Sequence, residues 1–427
     1  KTLRMGVMRR GSSPWLSAAW TAATLAACAG DGLRPAPATL SAGPVTIETD
    51  PLRLVVGAPT GDFVVDAFVE VATVGSVDET RYYDPRDRDA QLNWAAATRA
   101  RGLDADGALV LDNGVKMRLA VGSSAEVATV TLDAGDVANA VLLRLVAPRS
   151  AGEPIFGFGE SFASSDANGT VREMQLRVDL DSESGINESH VPVPLSLWPA
   201  RGVGLFVEDP RPAAFDVGVA RADRVLATFT LAEPGPLVAH VFTAAEPLDL
   251  SRAYARMTGL PAVPPLWAFA PQQWRNVHDS SDDFRADALA MRALDIPGSV
   301  LWIDNPWQTG YNTFEFDETR FVGIDALLAE AAGLGYRVIV WSTPYVTRDG
   351  ITAGDFGEAA SAGYFVRDGR GQPLVYPRWD GPAGIVDFTA AGATAWWQTR
   401  IARAVARGIS GFKLDYGEDL VPELLGG

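Results

Sequence analysis

The chain has 427 residues, 47% hydrophobic and 21% charged, a balance that fits folded domains and excludes a disordered polypeptide. Its 53 Asp and Glu against 36 Lys and Arg leave a net charge of −17, which argues against nucleic acid as a partner. A single Cys excludes a disulfide framework, and three scattered His leave no metal-ligand spacing. At roughly 100–200 residues per domain, the length predicts two or three domains.

Residues 1–27 carry Lys1, Arg4, Arg9 and Arg10, no acidic group, and an Ala-rich apolar run from Pro14 to Ala27. That run is too short to span a bilayer, and its small-residue end completes the pattern of a secretory signal peptide. It stops at Leu25-Ala26-Ala27-Cys28, which resembles the bacterial lipobox, so Cys28 is the expected lipidation site. The expected protein is an exported lipoprotein held on a membrane, periplasm-facing or at the cell surface. Residues 28–44, rich in Pro, Ala and Gly, read as a tether.

From Val45 the pattern turns to short β-rich runs separated by turn residues. Val45–Thr49, Phe63–Val71, Val127–Leu132, Val141–Val146, Val203–Val207 and Arg224–Leu231 are the clearest, and together they predict an all-β sandwich over residues 45–257. Ser251–Met257 reads as a connecting helix, and Pro261, Pro264 and Pro265 mark a boundary. Beyond it, strand-like runs alternate with helical ones: Leu266–Pro271, Ser299–Ile303, Arg337–Val340, Ile385–Phe388 and Gly411–Leu414 are the expected strands. The alternation predicts a parallel sheet, either doubly wound or a (β/α)8 barrel, over residues 258–427. Four or five such units fit there, whereas a barrel takes eight and ~250 residues. The expectation is therefore an incomplete barrel, from a longer gene product or a truncated reading frame.

Polar residues gather just after the strands, where either architecture places its ligands. In Gly411-Phe412-Lys413-Leu414-Asp415-Tyr416 the side chains of Lys413 and Asp415 share one face of a strand. Lys413 is one of three lysines in a chain that otherwise uses Arg, so an ammonium at this point stands out. A cation beside a carboxylate keeps it ionised, which suits a nucleophile; a structural ion pair is the plainer alternative. Asp304 follows the apolar run Val300–Ile303 and lies between Trp302 and Trp307 in sequence, a combination suited to a sugar, whose C–H face stacks on indoles while its hydroxyls bond the acid. Trp341, directly after Val338-Ile339-Val340, offers a second platform, although packing is the alternative for each Trp alone. Asp279, Asp282 and Asp283 read as a helix start, Trp396 and Trp397 as packing, and His190 and His278 as structural or surface residues.

With these residues in order, the chain resembles glycoside hydrolase family 31, the retaining α-glucosidase and α-xylosidase family. Phe156-Gly157-Phe158-Gly159-Glu160 is similar to the family's signature in its N-terminal sandwich. Pro264-Pro265-Leu266-Trp267 resembles its entry into the barrel, and Ile303-Asp304, Phe314-Glu315-Phe316-Asp317 and Val386-Asp387-Phe388-Thr389 track later barrel segments. The resemblance implies a galactose-mutarotase-like sandwich followed by a TIM barrel, and no metal or organic cofactor. It implies hydrolysis of terminal α-glycosidic bonds on an oligosaccharide or α-glycoside substrate. Asp415 would be the nucleophile, Asp304 and Lys413 would bond the sugar's hydroxyls, and Trp341 would line the same subsite. Phe412-Lys413-Leu414-Asp415-Tyr416-Gly417-Glu418 is closer to the α-xylosidase-like branch than to the α-glucosidases.

The family's acid/base is an Asp well downstream of the nucleophile, and Glu418, Asp419 and Glu423 do not fit its context. Residues 1–427 alone are accordingly expected to be inactive. Rival readings are a surface glycan-binding lipoprotein without turnover, and a related barrel α-galactosidase or transglycosylase.

Overall fold

A computed structural model describes residues 32–78, 83–85, 91–160, 164–174, 191–231, 235–378 and 380–417. Cys28 and the leader, His190, and Glu418, Asp419 and Glu423 lie outside the described residues.

The first body is built on the two-residue period of its strands. In Val45–Thr49 and Leu52–Ala58 the residues Val45, Ile47, Leu52, Leu54 and Val56 are buried, while the residues between them face outward. These strands form an antiparallel meander with Thr39–Ala42 and Gly61–Asp66. The meander packs with two larger sheets. One has eight strands, ordered Phe156–Gly159, Pro192–Trp198, Val203–Val207, Leu237–Thr243, Val127–Asp133, Lys116–Val121, Leu109–Leu111 and Ala100–Leu103. The other has six, centred on Ala140–Pro148 between Arg224–Thr230 and Val69–Thr73. All three share one apolar core, in which Phe158, Phe215 and Phe229 meet edge to face. The buried Glu70 sits between Arg221, at 2.6 Å, and Arg144, at 3.0 Å; the Arg144 guanidinium in turn lies 3.5 Å from the Trp94 ring centroid.

Two expectations change here. The residues expected to be a tether join the sandwich from Arg34 onward. Arg34 exchanges backbone hydrogen bonds with Leu103, and Thr39–Ala42 adds a strand beside Val45–Thr49. The run Phe63–Val71 is two strands, broken at Ala67, whose φ of 48° no strand continues through.

The helix Pro247–Thr258 leads to the second body. Four parallel strands lie in the order Gln272–Arg275, Val300–Ile303, Arg337–Ser342 and Gly411–Leu414, half the number that closes a barrel. Helices Ser281–Ala293, Ile324–Gly333, Ala353–Ala362 and Ala393–Ala406 follow or connect them. Ser280 caps the first of these by accepting the Asp282 N–H, and Asp282 and Asp283 occupy its positive first turn. Trp397 packs on Phe314 and Phe388.

The first strand is not the apolar run Leu266–Pro271, which contains a 3-10 turn over Leu266–Phe269, but the polar segment after it. Nor is Ile385–Phe388 a barrel strand. Ile385 ends Gly381–Ile385, which pairs antiparallel with both Val375–Arg378 and Tyr345–Thr347 in a small separate sheet.

Candidate active site

Strand parity assembles the site. In the parallel ladder Trp274 is paired with Trp302, Trp302 with Ile339, and Trp341 with Lys413. Alternate residues of the strands turn away: Leu301, Ile303, Val338 and Val340 pack into the core under the helices. Trp274, Asp304, Trp341, Lys413 and Asp415 are thereby brought together at the C-terminal ends of the four strands.

Lys413 is the centre of this group. Its Nζ lies 3.1 Å from Asp304 Oδ2 and 3.3 Å from Asp415 Oδ2. Burial works against its charge, but the two carboxylates outweigh that and hold the ammonium above the usual lysine range. Each carboxylate also takes an indole N–H: Trp274 donates to Asp304 Oδ2 at 2.6 Å, and Trp341 donates to Asp415 Oδ2 at 2.6 Å. Asp304 Oδ1 accepts the backbone N–H of Asn305, and the Asp415 N–H donates to the Ser342 carbonyl. Asp304 is buried, whereas 31% of the Asp415 side chain is exposed, so Asp415 is the carboxylate a ligand reaches more easily.

The aromatic residues divide differently from the expectation. Trp307 is completely buried, donates its N–H to the Trp341 carbonyl and packs on Phe316, so it supports the floor of the site and offers no face. Trp341 is 2% exposed and packs edge-on against Tyr311; it acts on the site through its N–H. Trp302 donates to Gln272 Oε1. The indole with an open surface is Trp274, 48% exposed, with the Lys413 ammonium 5.7 Å from its ring centroid. In the sequence it is inconspicuous, because the apolar run Leu266–Pro271 before it has the composition of the first strand. The signal available was a lone Trp among Gln272, Gln273 and Arg275.

A second group, also unanticipated, surrounds the Tyr311 hydroxyl. Burial raises this phenol well above its usual range, with Asp380 and Asp415 adding to the shift and Arg378 opposing it. Burial likewise pushes the Asp380 carboxyl up. Arg378 and Asp380 belong to the hairpin that follows the third strand and bring it to this side of the barrel. His278 is buried beside Phe284, with Nε2 3.6 Å from Asp287. Among the described residues no group of three His, Cys, Asp or Glu is placed to hold a metal ion, and no helix is long and apolar enough to cross a membrane.

The arrangement provides a reachable carboxylate, a second carboxylate fixed beside it and a cation between them, the elements for binding polyhydroxyl ligands and for attack on an electrophilic carbon. Residues 261–424 match the profile of the Glycosyl hydrolases family 31 TIM-barrel domain. The alpha-xylosidase XylQ of Lactiplantibacillus pentosus is 28% identical over 277 residues, 64% of this chain and 35% of that protein. Alpha-glucosidase 2 of Bacillus thermoamyloliquefaciens is 26% identical over 270 residues, 62% of this chain and 34% of that one. The chain thus spans about a third of the length of these curated relatives. Among solved structures, a GH31 dextranase of Flavobacterium johnsoniae complexed with glucose superposes with a TM-score of 0.63 at 18% identity, over 93% of this chain and 50% of that one. A GH31 family sulfoquinovosidase from E. rectale gives 0.67 at 14% identity, over 88% and 59%.

Proposed function

We infer, from the premise that this chain belongs to glycoside hydrolase family 31, that it forms the sandwich and nucleophile-bearing part of a retaining α-glycosidase. The substrate is a terminal α-xyloside or α-glucoside. The observation that carries the reading is the position of Lys413 between Asp304 and Asp415, with each carboxylate anchored by an indole N–H.

In this reading Asp415 Oδ2 is occupied by Lys413 and Trp341, which turns Oδ1 toward the substrate. Oδ1 attacks the anomeric carbon as the bond to the leaving oxygen breaks, giving a covalent glycosyl-enzyme. A second carboxylic acid delivers the proton to the leaving oxygen and then takes one from the water that releases the sugar. We assign that role to none of the described residues. Asp304 and Lys413 bond the hydroxyls of the sugar undergoing attack, fixing its anomeric carbon in line with Oδ1. Export through the leader and a lipid on Cys28 complete the proposal and place the enzyme on a membrane facing glycans outside the cytoplasm.

The test is Asp415→Asn in an enzyme that includes the acid/base as well as these residues. Turnover of aryl α-xylosides and α-glucosides should fall at least ~10³-fold, while binding of the product monosaccharide persists. A 5-fluoro α-glycosyl fluoride should add one sugar mass to the wild-type peptide containing Asp415 and none to the variant. Equal turnover in wild type and variant overturns the assignment.

A further inference from the structure

The hairpin after the third parallel strand reaches the residue that follows the nucleophile. Its strands, Val375–Arg378 and Gly381–Ile385, end in the Arg378–Gly381 pair, and the second is anchored to Tyr345–Thr347 at the exit of the third barrel strand. The Arg378 guanidinium carbon lies 4.6 Å from the centroid of the Tyr345 ring and 5.0 Å from that of the Tyr416 ring. Tyr345 is completely buried, so the planar cation links a core ring to the ring of Tyr416.

Tyr416 sits directly after Asp415 and has a φ of 52°, the left-handed region that a β-carbon disfavours. Gly417 continues the turn at φ 133°, where an added β-carbon would press on Pro344. A bulky residue in that conformation persists only when its surroundings hold it there. One contact made by the Tyr416 side chain is with the Arg378 guanidinium, two of whose nitrogens are themselves buried.

We propose that Arg378 is a positioning residue: by stacking on Tyr416 it holds the left-handed turn after Asp415 and so keeps that carboxylate against the Trp341 indole N–H and the Lys413 ammonium. The inference rests on Asp415 being the nucleophile, but its structural core is testable without turnover.

The experiment follows the Trp341 indole N–H by nuclear magnetic resonance in 15N-labelled protein, the peak being assigned by its loss in Trp341→Phe. Asp415→Ala marks where the peak lies when the acceptor is gone. In Arg378→Met the peak should move at least halfway to that position, and Arg378→Lys, which keeps the charge without the flat face, should not restore it. If Arg378→Met does not fold, Tyr416→Ala removes the other side of the stack and should move the peak likewise. A peak unmoved in a folded variant overturns the proposal.

In kinetics, Arg378→Met should lower kcat by ~10²-fold, the cost of a small misplacement of the reacting group, with KM within about twofold of wild type. A raised KM at unchanged kcat would instead make Arg378 a substrate-binding residue and overturn the positioning role. If an enzyme that includes the acid/base as well as these residues turns over no α-glycoside, the proposed function fails while the indole measurement still decides the role of Arg378.

Discussion

The Trp274 indole N–H donates to Asp304 Oδ2 across 2.6 Å, joining neighbouring parallel strands at their C-terminal ends. Asp304 Oδ2 also receives Lys413, so this one oxygen is shared between an indole and an ammonium. Replacing Trp274 by Phe keeps an aromatic surface and deletes the donor. A hydrogen bond to a charged group contributes about 1.5–3 kcal/mol, so kcat/KM on an aryl α-glycoside should fall about tenfold or more. Trp274 is half exposed and outside the buried core, so the thermal midpoint should stay within a degree or two. An unchanged kcat/KM would show that Asp304 is held well enough by Lys413 and Asn305 alone.

Lys413 carries a different expectation, because its single charge is shared by two carboxylates. Lys413→Met leaves Asp304 and Asp415 facing each other without the charge between them. Removing a fixed charge from a site of this kind lowers rates by ~10²-fold or more. The same residue has a signature in stability. Its folded pKa lies above the unfolded value of 10.5, so the folded state binds the proton more tightly. The stabilisation is therefore complete below pH 10.5 and is lost as pH rises above it through the folded pKa. Urea midpoints measured from pH 9 to 12 should decline more steeply for wild type than for Lys413→Met, and parallel curves would refute the coupling.

The carboxylates and their lysine were legible in the sequence because strand parity is strict. Phe412 and Leu414 alternate with Lys413 and Asp415, and Asp304 ends an apolar run. Trp307 was not legible. It is near Asp304 in sequence, but the turn after the strand carries it into the core, where its N–H meets the Trp341 carbonyl. Trp274 was hidden for the opposite reason: the apolar residues Leu266 to Phe269 form an exposed turn, while the strand itself is polar. Hydrophobic runs find buried strands, and a strand lining a wet site is not one. The Arg378 hairpin was missed in the same way, since Ile385–Phe388 has the composition of a barrel strand and its partners lie in a side sheet.

The Phe156-Gly157-Phe158-Gly159 segment was readable as a motif, and the fold explains its glycines. Both have positive φ, and a β-carbon at Gly159 would overlap the carbonyl oxygen of Val191, the residue just before the adjoining strand Pro192–Trp198, near where the register shifts. Gly159→Ala should therefore destabilise the sandwich by about 1–3 kcal/mol, seen as a lower urea midpoint for the transition that reports Trp198. The barrel carboxylates are not part of that strand, so substrate affinity of the folded fraction should not change. A neutral substitution would mean that the two strands separate there at little cost.

His278 supplies an acid-side prediction whose sign opposes that of Lys413. Burial lowers its pKa below 6.5, and the facing groups act in both directions: Asp287 and Asp283 favour the imidazolium while Arg275 opposes it. Arg275 is itself tied to Asp287 by two hydrogen bonds of 2.5 and 2.7 Å, so the carboxylate nearest the imidazole is already engaged by a permanent cation. The unfolded chain then binds a proton at His278 more readily than the folded one. Stability from this residue is complete above pH 6.5 and is lost as pH falls below it toward the folded pKa, at a slope of up to about 1.4 kcal/mol per pH unit. His278→Gln keeps a polar side chain of similar reach without a titrating group. Its thermal midpoint should be lower than wild type at pH 7.5, yet fall less between pH 7 and pH 5. Equal slopes in the two proteins would show that the imidazole has the same pKa in the folded and unfolded states.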